Sequence, residues 1–203
     1  MRVLGLFCSP RKRGNTDLLL DQFLKGAKEA GAETEKIHVC RIQIAPCNGC
    51  GACEKTGQCA IEDQMCGVYD RIDAADAIVL ASPVYFYNVT AQCKTLIDRC
   101  QALWSRKYIL KKRGRAKLGF FLSVGGTKGK KMFDCTILTV KYFFDAIDAR
   151  YLGHLLFREI DKRGDIRSHP TALREALQAG IKLGRSTHWK NAEEEASSFQ
   201  MER

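Results

Sequence analysis

The chain has 203 residues, enough for one well-buried core and short for two, and 45% of them are hydrophobic. Its 33 Lys and Arg against 23 Asp and Glu give a formal net charge of +10, which suits an anionic cofactor, an acidic protein or nucleic acid without choosing among them. No stretch approaches the roughly 20 apolar residues of a membrane span, and the N-terminus enters a strand-length apolar run instead of a signal peptide, so a cytoplasmic protein without a membrane partner is expected.

The first strand is predicted near 2–7 and the first helix near 16–30. Between them runs Cys8-Ser9-Pro10-Arg11-Lys12-Arg13-Gly14-Asn15-Thr16. A polar loop that opens a helix at the C-terminal edge of a sheet binds anions, because free backbone N–H groups and the positive helix end converge there. Ser9, Asn15 and Thr16 add donors, and Arg11 and Arg13 add charge-assisted bonds. The loop lacks both the Lys-Ser/Thr ending of a nucleotide-hydrolase loop and a Gly-x-Gly-x-x-Gly run, so a monophosphate such as that of FMN suits it better than a dinucleotide. The bland alternative is an ordinary polar turn with a Thr or Asn cap.

A second strand is predicted near 34–40, and a cysteine-rich loop follows at 44–60. Four of the ten cysteines crowd there as Cys47-x-x-Cys50-x-x-Cys53, then five residues to Cys59. Gly49 and Gly51 let the backbone fold around a compact object. Thiolates at two-residue spacing suit the corners of an iron-sulfur cubane, although the bacterial ferredoxin run has Pro after its fourth Cys and here Ala60 follows Cys59. Zinc usually takes two separated Cys pairs. The alternatives to a cluster are zinc and free or oxidised thiols. Cys8, Cys40, Cys66, Cys93, Cys100 and Cys135 are read as small buried hydrophobes, with Cys66 near enough in sequence to substitute as a ligand.

Beyond the cysteines come a helix near 62–74 and a strand near 76–82, then Ser82-Pro83-Val84-Tyr85-Phe86-Tyr87-Asn88. Tyr85 and Phe86 offer flat walls for an isoalloxazine ring and Asn88 offers polar contacts; a core or dimer contact is the alternative. A helix is predicted near 90–104, followed by the basic run Arg106, Lys107, Lys111, Lys112, Arg113, Arg115 and Lys117. That run reads as solvated surface, a dock for an acidic electron carrier, or a site for NADPH phosphates; no helix-turn-helix or zinc-finger spacing argues for nucleic acid. A strand near 117–123 leads into Ser123-Val124-Gly125-Gly126, where glycines let backbone approach a planar ligand. A helix near 131–147, a strand near 150–157 and a helix near 170–183 complete five strands and five helices. This α/β rhythm predicts a flavodoxin-like, doubly wound parallel sheet of order 2-1-3-4-5, with residues 1–185 as its domain and the cysteine loop inserted after strand 2. Residues 186–203, with Glu193-Glu194-Glu195, read as a polar tail, frayed or an oligomer arm.

Over roughly residues 1–150 the chain resembles the NADPH-dependent FMN reductase superfamily and, more narrowly, its iron-sulfur flavoproteins. The resemblance rests on Ser9-Pro10-Arg11 with Gly14-Asn15-Thr16, the compact cysteines, Ala75-Asp76-Ala77 leading to Ser82-Pro83-Val84-Tyr85, and Lys94 with Ile97-Asp98-Arg99. It implies that Ser9, Arg11, Asn15 and Thr16 hold the FMN phosphate, and that Pro83, Val84, Tyr85, Phe86 and Asn88 with Gly125 and Gly126 border the ring. It also implies that Cys47, Cys50, Cys53 and Cys59 bind a four-iron, four-sulfur cluster, and that a dimer places flavins near the subunit interface. Arg13 departs from the family's frequent Asn, Ala81 from its Gly, and Gln64 from a second Asp after Asp63.

The expected function is therefore an FMN-dependent oxidoreductase coupling flavin to the cluster, with NAD(P)H or an acidic carrier such as ferredoxin as electron donor, assembled as a homodimer or homotetramer. A cluster-less NAD(P)H-dependent FMN or quinone reductase and a non-enzymatic thiol or zinc redox sensor are the competing readings. No catalytic side chain is assigned, since the cofactor carries the chemistry. His38, His154, His169 and His188 are scattered over different elements and read as structural or exposed.

Overall fold

The structure, a computed structural model, describes residues 1–186. Strands β1 (Arg2–Phe7), β2 (Glu33–His38), β3 (Ala77–Ala81), β4 (Lys117–Val124) and β5 (Ala149–Phe157) form one parallel sheet of order β2-β1-β3-β4-β5, the predicted order. The helices are α1 (Asn15–Glu29), α2 (Ala52–Thr56), α3 (Met65–Ala74), α4 (Ala91–Arg99), α5 (Gln101–Tyr108), α6 (Asp134–Ala146) and α7 (Ala172–Arg185). Every residue of β3 and β4 is buried, which is why their sequences are nearly unbroken apolar runs. Edge strand β2, Glu-Thr-Glu-Lys-Ile-His, carries the charge that discourages further pairing.

Alternating side chains sort the core into two layers. On one face Val3, Val79 and Phe120 meet α1 and α7, with Phe23 and Phe120 ring centroids 5.0 Å apart. On the other, Leu6, Ile78, Leu80 and Phe121 pack with Ile72, Leu96, Phe143 and Phe144 from α3, α4 and α6. The chain reverses its winding between β1 and β3, and such a switch point leaves a crevice at the strands' C-terminal ends.

Two predicted features are corrected. The single helix expected near 90–104 is α4 and α5, broken at Cys100. There Leu103 N–H turns to the Cys100 carbonyl at 2.9 Å, and the Arg99 carbonyl accepts from the Tyr69 hydroxyl at 2.7 Å instead, so a side chain supplies the bond that a continuous helix would make. The cysteine loop, in which the sequence pattern places no helix, contains α2, flanked by Gly51 and Gly57 in left-handed conformation. Among the described residues no helix is long and apolar enough to cross a membrane. The tail read at 186–203, and His188 with it, lies beyond the described residues apart from Ser186.

Helices α1 and α7 touch backbone to backbone through glycines. A Cβ on Gly180 would stand 1.9 Å from the Phe23 carbonyl oxygen, and one on Gly26 would stand 2.1 Å from that of Leu177. Alanine ordinarily favours a helix over glycine by about 1 kcal/mol, but here overpacking dominates. Gly180→Ala is expected to lower stability by about 2–3 kcal/mol in urea unfolding; a stabilised variant would show that the helices can separate without cost.

Candidate functional site

The crevice at the switch point is lined by three sequence-predicted loops and one that was not predicted. Ser9, Arg11, Gly14, Asn15 and Thr16 form one wall; Pro83, Val84 and Tyr85 a second; Val124, Gly125 and Gly126 a third; Ile160, Asp161 and Arg163 close it from the segment after β5. The first turn of α1 presents N–H groups without earlier helical carbonyls, since Leu18 N–H is the one that reaches back to Gly14. Ser9 Oγ accepts from Arg11 N–H at 3.2 Å and keeps its own proton to donate, while His38 Nε2–H holds the Ser9 carbonyl at 3.0 Å. These donors and the Arg11 guanidinium fit a phosphomonoester.

Asn15 lines the crevice but its amide is committed elsewhere. Its Nδ2 donates to the Lys162 carbonyl at 2.9 Å, and its Oδ1 accepts from Gly164 and Ile166 N–H at 2.9 and 3.2 Å. It therefore pins the segment after β5, leaving its backbone N–H for an anion. Four other predicted residues are not brought into the crevice lining. Arg13 stands at φ +56° and donates its N–H to Asp17, whose carboxylate also pairs with Lys36, so its role is in the turn. Ser123 is buried and donates to the Ser82 carbonyl at 2.7 Å. Asn88 Oδ1 accepts from Val89 N–H at 2.8 Å, and Phe86 points fully into solvent. Gly125 and Gly126 are needed for packing as much as for a ligand: a Cβ would lie 2.4 Å from Met132 Sδ and 3.1 Å from Asp161 Oδ1.

Phe86 and Tyr87 form the tip of a tight hairpin, with Tyr85 and Asn88 exchanging backbone bonds of 2.8 and 3.0 Å. Both have positive φ, +47° and +62°, the geometry of a two-residue turn that prefers Asn-Gly.

Cys47, Cys50, Cys53 and Cys59 line one concavity, together with Glu54, Asp98 and Arg99. Cys47 and Cys50 are exposed, and Cys53 Sγ accepts from Ser105 Oγ at 3.5 Å. Positive φ at Gly49 (+69°) and Gly51 (+71°), with open space around both, fits a loop wrapped about a bound object. Among the described residues no three His, Cys, Asp or Glu side chains converge as a single-ion site. The loop is anchored by Arg99, whose buried guanidinium donates to the Ala45 carbonyl at 2.9 Å, the Ile61 carbonyl at 3.0 Å and Asp63 Oδ2 at 2.6 Å. Nothing in the spacing of Arg99 or Asp63 announced this pairing.

Of the remaining thiols, Cys8, Cys93 and Cys100 are buried as expected, whereas Cys66 and Cys135 are exposed because they fall on the outer faces of α3 and α6. Burial raises the Cys8 and Cys100 thiols, and burial with Cys93 nearby pushes Cys40 up to about 11, so these stay protonated. The basic run is not simply a solvated face. Arg106 pairs with Asp73 at 2.7 Å, Lys107 with Asp145 at 3.0 Å and Asp148 at 3.3 Å, Arg115 with Asp76, and Lys117 is buried; Lys111, Lys112 and Arg113 are exposed. Three histidines are tied down locally: His38 at the Ser9 carbonyl, His154 with the Tyr151 hydroxyl at 2.6 Å, and His169 accepting from Ala172 N–H at 3.1 Å.

Burial opposes ionisation of Asp63, yet the Arg99 guanidinium and the Ala45 and Met65 N–H groups hold its carboxyl below the usual carboxylate range. A depressed folded value means stability that is present above the ordinary Asp value, about 3.9, and lost as pH falls through the folded one. Protease nicking between residues 44 and 63 should therefore increase with acid below about pH 4, and Asp63→Asn should produce it at neutral pH at a cost of about 3–5 kcal/mol. Unchanged nicking in the variant would remove the anchor role. At the hairpin, Phe86→Asn should raise stability in urea by about 1 kcal/mol, because Asn tolerates positive φ and the Phe ring makes no buried contact to lose; a fall would mean that the turn is not strained.

Residues 1–154 match the model of the family described as NADPH-dependent FMN reductase. An iron-sulfur flavoprotein of Methanosarcina thermophila is 40% identical over 128 residues, 63% of this chain and 65% of its own length. One of Methanocaldococcus jannaschii is 38% identical over 144 residues, 71% of this chain and 72% of its own. The chain thus spans about two thirds of the length of these curated relatives. Among solved structures, an NAD(P)H:quinone oxidoreductase from Methanothermobacter marburgensis superposes with a TM-score of 0.72 at 18% identity, covering 93% of this chain and 98% of that one; at such identity the likeness is one of fold.

Proposed function

The chain belongs to the NADPH-dependent FMN reductase family, among its iron-sulfur flavoproteins, and from that premise we propose that it is an FMN-dependent oxidoreductase whose Cys47, Cys50, Cys53 and Cys59 hold a four-iron, four-sulfur cluster. The observation that carries this reading is the placement of both candidate sites on one helix. α4 begins at the loop that walls the crevice and ends at Arg99, which grips the cysteine loop, a span of about 13 Å.

Bound FMN exchanges two electrons with a hydride donor and single electrons with a carrier, and an iron-sulfur cluster exchanges one at a time. The chain's own residues position these groups. Ser9, Thr16, Arg11 and the first-turn N–H groups of α1 would bind the phosphate; Pro83, Val84 and Tyr85 would give the ring an apolar wall that excludes water, with Gly125 and Gly126 also lining the crevice.

Arg11 and Arg163 line the crevice beside one carboxylate, Asp161, and Lys12 and Lys162 next to them in the chain are exposed. This favours an anionic electron donor, either NAD(P)H or an acidic carrier such as ferredoxin, reached here and not at the run 106–117. The exposed side chains of Phe86, Tyr87, Leu138 and Tyr142 favour self-association as a homodimer or homotetramer, and a cytoplasmic protein completes the reading.

Anaerobic purification, a visible spectrum and assays of FMN, iron, acid-labile sulfide and zinc on the same sample test the reading. Flavin with near-stoichiometric iron and sulfide is expected, and Cys50→Ser should lose the iron while keeping the flavin. Flavin without iron leaves a cluster-less reductase; zinc without flavin overturns the proposal in favour of a thiol sensor.

A further inference from the structure

We infer that Arg163, on the segment between β5 and α7, is a second phosphate anchor of the flavin site, and that with Arg11 it sets a preference for phosphorylated over unphosphorylated flavin. This rests on the FMN reading above. Arg163 lies outside residues 1–154, the part of the chain matched to the family, so membership does not assign it.

Arg163 lines the same crevice as Ser9, Arg11 and Thr16. The two arginine-bearing segments strap each other: Arg11 Nη1 donates to the Asp161 carbonyl at 3.3 Å, and Arg163 Nη2 donates to the Lys12 carbonyl. Each guanidinium has five N–H donors, so each strap leaves donors for an anion between them. The segment is held in place by Asn15, whose buried amide makes three bonds to it, and by Lys162 N–H donating to Asp165 Oδ2 at 2.7 Å. A buried Asn devoted to one surface segment is explained if that segment presents a functional group.

The charges around the site agree. A flavin phosphate near neutral pH carries up to two negative charges, and one guanidinium leaves it only partly neutralised. The nearby carboxylates are otherwise engaged: Asp17 with Lys36 and Arg13 N–H, Glu159 with Lys128 at 3.3 Å. The Asp161 side chain lies against Gly126, on the ring side of the crevice, where a ribityl hydroxyl has use for an acceptor.

The test titrates FMN and riboflavin into the flavin-free full chain at low and high salt, following flavin fluorescence. Arg163→Gln keeps a neutral donor for the Lys12 strap and removes the charge. It should weaken FMN binding about tenfold or more, the scale of a charge-assisted bond. Riboflavin binding should stay within about twofold, the salt sensitivity of FMN binding should shrink, and Arg163→Lys should recover part of the loss. Equal weakening for both flavins, or FMN binding unchanged beside a tight-binding wild type, overturns the anchor alone. A wild type that binds neither flavin overturns the FMN reading and the anchor with it.

Discussion

One buried guanidinium organises much of this molecule. Arg99 is removed from water, and a charge so placed needs a partner and hydrogen bonds, which its two terminal nitrogens find while Nε has no protein partner among the described residues. Asp63 provides the partner, and the Ala45 and Ile61 carbonyls take further donors. Those contacts close the two ends of the cysteine loop against α4, so a segment of exposed and half-exposed thiols gains a defined path. Asp63 works on both sides of the junction, accepting also from Ala45 and Met65 N–H at 2.8 and 2.9 Å.

The opposite end of α4 is fastened by a different chemistry. Thr90 caps the helix by accepting from Cys93 N–H at 3.2 Å and donates its hydroxyl to the Cys8 carbonyl at 2.6 Å. Thr90 N–H reaches Ser82 Oγ, and the Ser82 carbonyl accepts from Ser123. Hydroxyls thus stitch the ends of β1, β3 and β4 below the crevice. Ser123, a candidate ligand by sequence, works in this layer, where it ties β4 to the end of β3.

Some of the molecule's backbone strain lies beside the crevice, and some, at Lys111 and Asp148, at the other end of the sheet. Arg13, Phe86 and Tyr87 all take positive φ without being glycine, and Phe86 recovers nothing by burial. At Arg13 the resemblance expects Asn, a residue that tolerates this conformation. A local rule broken at the mouth of a binding site is where function outweighs stability. The fully exposed Phe86 suits a contact with a partner or substrate and has no explanation within the monomer.

What the sequence determined by itself was whatever depends on near neighbours. Strand-length apolar runs alternating with helical patterns marked five strands, and their count suggested the sheet order, while the loop from Ser9 to Thr16 suggested an anion site because its chemistry is local to one turn and one helix end. The cysteine spacing suggested a ligand set in the same way, since such sets are close in sequence. Tertiary structure decided which side chains face the ligand and which are used elsewhere. Asn15 is spent on a segment about 150 residues away, Arg163 arrives from that segment with no motif to mark it, and three members of the basic run, Arg106, Lys107 and Arg115, are paired with Asp73, Asp76, Asp145 and Asp148 from other elements. The break at Cys100 likewise depends on a Tyr69 hydroxyl from another helix. A side chain's partner is chosen by position in space, and periodicity along the chain carries no record of that choice.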